Sequence, residues 1–291
     1  MDGRSGGRAG ASLSPDRRAV REAARRRRAQ RGAAISALST VVVLGALAAL
    51  ILTSKGWPNV RDTFFSWTAF KDAFPDVLDG FWLDIKIFVI VEIAVLAVGL
   101  VVAVLRSTRT PALFPVRLLG ATYTDIFRGI PTILVVYLIG FGVPALELSG
   151  LPTDPVVLGG IALTLSYSAY VAEVYRAGID SIHAGQRSAA LALGLTPAQS
   201  TRFVVLPQAV RRVVPPLLND FIALQKDVAL VSILGPLEAF RVAQIEASST
   251  FNYTPLVAAA CLYLLVTVPM ARIVDRMQAR TQLRRGALAP V

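Results

Sequence analysis

The sequence predicts an all-α integral membrane protein of about six transmembrane helices with both termini in the cytoplasm. Three observations carry this expectation. Apolar residues make up 54% of the 291 positions, or about 59% with Gly counted and Tyr left out, against about 45–50% in soluble domains. Charged residues are 17%, against about 25%. Finally, the 30 Lys and Arg are clustered between long apolar stretches, which a soluble globule would not tolerate.

A helix needs about 20 mostly apolar residues to cross the hydrocarbon core. Residues 32–54 contain no charge, so 34–53 is expected to be a first transmembrane anchor, retained rather than cleaved as a leader. Residues 1–33 form a basic tail. Ser14-Pro15-Asp16 is a helix start, with cap, N1 proline and early acid. The arginines from Arg17 to Arg28 then read as a helix lying on anionic headgroups. Beside a membrane anchor this reading is preferred to nucleic-acid binding, so no nucleic acid is expected as a partner.

Residues 54–80 are expected to be an external loop, and 81–272 the main transmembrane domain. Its second span covers about 81–105 and carries Asp84, Lys86 and Glu92. The third covers about 126–146 and starts with Arg128; the fourth covers 156–172, extended towards 177. The fifth, about 214–235, carries Asp220, Lys226 and Asp227; the sixth lies within 247–271, which is free of charge. Residues 273–291 are a cytoplasmic tail. With the N-terminus inside, 23 of the 30 basic residues fall in cytoplasmic segments and 4 in external ones. Lys and Arg concentrate on the cytoplasmic side of membrane proteins, so the orientation is settled by charge.

Most enzyme chemistry is excluded. One cysteine, Cys261, and one histidine, His183, leave no disulfide, no cysteine metal site and no two-histidine motif. No Gly-Lys dipeptide occurs, so the chain has no Walker A phosphate loop. Gly3-Arg4-Ser5-Gly6-Gly7 matches G-x-S-x-G, but a nucleophile elbow needs a strand before it and a helix after it. Neither metal nor cofactor is expected, and the chain is expected not to be an enzyme.

Ionisable residues inside a bilayer are costly and point to function by default. The candidates for a transport path or an intramembrane network are Glu92, Arg128, Glu173, Lys226 and Asp227. Glu173 has Arg176 at i+3, a workable helical ion pair. Lys226 and Asp227 are neighbours in sequence, face different directions, and need partners on other helices.

The most organised segment is the connection 178–214, far longer than a hairpin requires. Ser188-Ala189-Ala190-Leu191-Ala192-Leu193 is helix-forming, and Gly194 supplies a left-handed stop. Thr196-Pro197-Ala198-Gln199 then places an N-cap, an N1 proline and a capping-box glutamine. The second helix is expected to end at Pro207. A helix–Gly–helix element on the cytoplasmic face follows.

The spacing S-A-A-x-x-x-G-x(9)-V-x-L-P, from Ser188 to Pro207, resembles the EAA loop of permease subunits in binding-protein-dependent ABC importers. Phe127-Arg128-Gly129-Ile130-Pro131, Ala169-Tyr170-Val171-Ala172-Glu173, Leu206-Pro207-Gln208-Ala209 and Lys226-Asp227 resemble the polar amino acid branch of that family. The resemblance implies a multi-pass permease in a bacterial cell membrane, taking up a polar amino acid by alternating access. It also implies three partners: a separate ABC ATPase, an extracytoplasmic solute-binding protein and a second permease copy, identical or paralogous. Ser188, Ala189, Ala190, Gly194, Leu206 and Pro207 would couple to the ATPase. Ser188 replaces the family's usual Glu, and Asp227-Val228-Ala229-Leu230 replaces Asp-Thr-Ser-Leu. The alternatives are an ABC permease for a different small solute, a channel-like or structural subunit without an ATPase and, third, a membrane enzyme.

Overall fold

The computed structural model describes residues 15–107 and 110–286, with side chains described for 30–107 and 110–279. The chain divides into two compact units, one up to Arg61 and one from Asp62 onwards. The described residues are helical throughout, with no strand.

In the first unit, α1 (Pro15–Leu52) is one 38-residue helix. It runs from the predicted proline start through the apolar anchor without a break. Its apolar side chains, Ile35, Leu38, Val41 and Leu50 among them, are exposed. In a helix this apolar, such exposure suits lipid as the solvent. The short α2 (Trp57–Phe64) follows.

The second unit is a bundle of α3 (Trp67–Ser107), α4 (Phe114–Gly129), α5 (Thr132–Ala145), α6 (Pro155–Asp180), α9 (Leu206–Asp227), α10 (Ala239–Thr250) and α11 (Thr254–Gly286), with the short α7 (Ala184–Ala192) and α8 (Pro197–Ser200) between α6 and α9. Among the described residues, four helices are long and apolar enough to cross a membrane. Two bent pairs, α4 with α5 and the α8–α9 stretch with α10, bring the number to six if each pair counts as one span.

α3 and α6 form the centre. Ile87, Val91 and Val95 of α3 pack with Leu163, Tyr167 and Val171 of α6, and α5 and α9 close the cluster through Val136 and Leu224. A second cluster joins Ala73, Val77 and Phe81 of α3 to Ala243 of α10 and Leu262 of α11. Lipid tails are as apolar as leucine, so helices in a membrane associate through close packing at small residues. A Cβ on Gly99 would lie 2.7 Å from Val171 Cγ1, and one on Gly80 would lie 2.7 Å from the Ala239 backbone.

Several boundaries differ from expectation. The third span is not one helix: α4 and α5 are bent by 107°. Ile130 (φ −98°, ψ 132°) is extended and Pro131 follows. The residue before a proline is pushed out of the helical region, which breaks the span. Residues 67–80, expected in an external loop, are the start of the 41-residue α3, which passes through Pro75. The last span begins at Thr254, and the stretch before it forms the separate α10, capped by the Glu238 carboxylate at Phe240 N (2.8 Å) and Arg241 N (2.7 Å).

Pro207 does not end a helix. α8 runs through a π turn at Thr201–Val205 directly into α9. A proline inside a helix lacks an N–H and collides with the carbonyl four residues back. The wider π turn just before Pro207 gives that carbonyl room.

Candidate functional site

The 178–214 connection folds as a capped hairpin. His183 starts α7 by accepting the Gly185 N–H at Nδ1 (3.1 Å). At the other end Leu195 N donates to Ala190 O (3.2 Å) and Gly194 N to Leu191 O (3.0 Å). This is the paired closure of a Schellman stop, and Gly194 sits at φ +84°. Thr196 and Gln199 form the predicted reciprocal capping box, at 3.2 and 2.9 Å. Ile182, Val205 and Ala209 make a small core that ties the hairpin together. Ala190 faces inward, whereas Ser188, Ala189, Leu206 and Pro207 are exposed. The hairpin also exposes Leu193, Phe203 and Leu206, an apolar surface next to exposed Arg187 and Arg202.

An ion-pair network fixes the base of this hairpin. Glu173 accepts Arg106 Nη1 of α3 at 2.9 Å and is clasped by Arg176, whose Nε lies 3.2 Å away. Arg176 also reaches Asp180 at 2.9 Å. The predicted i+3 pair therefore forms, and Arg106, whose part sequence reasoning missed, ties it to a second helix. Arg212 donates to the Ser181 carbonyl and closes α9 onto the end of α6.

Within the bundle, Asp227 accepts the Tyr167 hydroxyl at 2.8 Å. Lys226 is exposed; among the described residues it has no ion-pair partner. Glu92 is half-buried and has Asp220 of α9 and Tyr175 of α6 as its electrostatic neighbours. Lys86, two turns away, lies instead over the Trp82 ring at 5.9 Å. Arg128 lies 5.7 Å over the Tyr170 ring, and Tyr170 donates to the Arg128 carbonyl at 3.2 Å. The five intramembrane candidates thus do not form one cluster. Glu173 belongs to the Arg106–Arg176 network, Arg128 to the α4 break, and Asp227 to the contact of α9 with α6. Glu92 pairs its surroundings with Asp220.

Sequence reasoning did not single out Asp220, whose Oδ2 is buried without a hydrogen-bond partner. It also missed a carboxylate pair midway along α3. Asp84 and Glu238 are 1% and 0% exposed, and Tyr263 donates to both, at 2.7 and 3.4 Å. Asp84 was legible as a charge within a span, but its partner lies beyond the fifth span. Among the described residues no group of His, Cys, Asp and Glu could hold a metal ion.

A bundle of lipid-length helices with broken spans, buried acids and a capped hairpin between two spans defines a multi-pass membrane permease. The comparisons make it specific. Residues 96–283 match the family described as the binding-protein-dependent transport system inner membrane component, and the chain belongs to that family. It is similar to the putative glutamine transport system permease protein GlnP of Rickettsia conorii, 36% identical, covering 69% of this chain and 91% of the relative. It is also similar to the arginine transport system permease protein ArtQ of Bacillus subtilis, 34% identical over 67% of this chain and 87% of that one. The glutamate/aspartate import permease protein GltK of Escherichia coli is 33% identical, over 75% and 98%. Among solved structures, an amino acid ABC transporter crystallised with histidines has a TM-score of 0.67 at 29% identity, covering 74% of this chain and 98% of that one.

Proposed function

We propose that this chain is the permease subunit of an ATP-driven importer of polar amino acids. It works with a separate ATPase, a solute-binding protein on the outer face and a second permease copy. The relatives named for glutamine, arginine and glutamate/aspartate support the substrate class. The observation that carries the reading is the 188–207 hairpin: two capped helices on a rigid base, with Ser188, Ala189, Leu206 and Pro207 exposed. ATP binding closes the ATPase subunits, and the hairpin passes that movement through the Glu173 network to α3 and α6. The spans then alternate between inward and outward access. Glu92, Asp220 and Asp227 are acids at membrane depth suited to the α-ammonium that every amino acid carries. A channel-like subunit has no use for such a hairpin.

The test is uptake. The permease is reconstituted in vesicles with its ATPase and binding protein and supplied with ATP inside and labelled amino acids outside. Uptake of glutamine, arginine or glutamate that needs both ATP and the binding protein is expected. Uptake that persists without ATP would replace this reading with the channel-like one.

A further inference from the structure

A cavity of about 660 Å³ opens at the base of the hairpin, where α3, α4, α6 and α7 meet. Four arginines line it, Arg106 from α3, Arg117 from α4, Arg176 from α6 and Arg187 from α7, against one lining carboxylate, Asp180. Glu173 sits behind the wall and holds Arg106 and Arg176 in place. The cavity lining thus carries four arginines to one carboxylate. Its remaining polar lining is matched to an anion. His183 accepts at Nδ1, so in its neutral form the other ring nitrogen is a donor. Ser107 and Ser188 add hydroxyls. Beside Arg117, α4 exposes Phe114, Leu118 and Leu119, with Arg117 stacked over Phe114 at 5.3 Å.

We propose that this cavity is a binding site for a phosphate-bearing anion, bridging the ends of the central helices to α7. Planar guanidinium groups held from several sides match phosphate oxygens bidentately. Arg106, Arg117 and Arg176 sit near the ends of the longer helices α3, α4 and α6. A phospholipid phosphate would enter from the bilayer with its acyl chains against α4. A soluble phosphate would enter from the aqueous side. The proposal does not depend on the import reading.

Full-length permease in an uncharged detergent is titrated with dioleoyl-phosphatidylglycerol, dioleoyl-phosphatidylcholine or inorganic phosphate while its unfolding temperature is followed. Phosphatidylglycerol is expected to raise that temperature saturably and phosphatidylcholine to leave it unchanged. Arg187→Gln removes an exposed cation, and Ser188→Glu adds a carboxylate to the lining. Each should raise the half-saturating concentration at least about tenfold. Replacing Arg25, Arg26, Arg27 and Arg28 together by Gln should leave it as in the wild type. An equal, saturable effect of inorganic phosphate, lost in the same two variants, upholds the site and makes its ligand a soluble anion. The proposal is overturned if neither anion acts, if both cavity variants respond like the wild type, or if only the tail variant loses the response.

Discussion

Replacing Gly194 by valine isolates the hairpin from the rest of the fold. Gly194 has φ +84°, and a Cβ built there meets no atom within 4 Å. The whole cost is therefore conformational, about 1–2 kcal/mol for a Cβ in the left-handed region, with a β-branched side chain at the unfavourable end. Valine escapes by leaving that region, which gives up the Leu195–Ala190 and Gly194–Leu191 hydrogen bonds at about 1 kcal/mol each. Either route removes about 1–2 kcal/mol from a nine-residue helix, a factor of about 5–30 in the population of the intact turn. The decisive assay is ATP hydrolysis by the reconstituted complex, with and without ligand-loaded binding protein. Gly194→Val should insert normally yet lose stimulated hydrolysis and uptake together. Gly194→Asn, which tolerates positive φ, should keep most of both. Full stimulation in Gly194→Val, or equal loss in Gly194→Asn, would refute the link between turn geometry and coupling.

Two further predictions follow from the fold. In a Cys261→Ala background, single cysteines at Ser66 and Ser249 should react with an impermeant thiol reagent in intact cells, and one at exposed Ser188 only after permeabilisation; the reverse pattern would invert the topology. Tyr167→Phe removes the only hydroxyl seen to satisfy Asp227 among the described residues, and losing one hydrogen bond at a half-buried acceptor costs about 0.5–1.5 kcal/mol, so the unfolding temperature in detergent should fall measurably; an unchanged value would mean that Asp227 finds another donor.

Much of the candidate site was legible because its signals are local. Gly194 at positive φ, the Thr196–Gln199 box and the Glu173–Arg176 pair each span four residues or fewer, and all three are present as read. Pro207 misled for an instructive reason. A proline ends an ideal helix, but one residue of extra width, the π turn at Thr201–Val205, lets the helix pass. That the chain has several spans was legible too, as hydropathy reports length and charge along one dimension. The 54–80 segment was not, because α3 carries charged residues such as Lys71, Asp76 and Asp79 in the same helix as its apolar span, and hydropathy sees only the latter.

The sequence by itself determined the class of the protein, its multi-span character, the charge asymmetry and the punctuation of the hairpin. Each depends on composition or on residues a turn or two apart. Only the tertiary structure decided which charges meet: Asp84 with Tyr263, 179 positions apart, Arg106 with Glu173, 67 apart, and Tyr167 with Asp227, 60 apart. It also decided that four arginines from four helices line one cavity. The physical reason is that helices apolar on every side carry no periodic pattern to say which face turns inward. Their rotation is set by close packing at small residues such as Gly99 and Gly80, and packing is a property of neighbours that the chain brings together only when it folds.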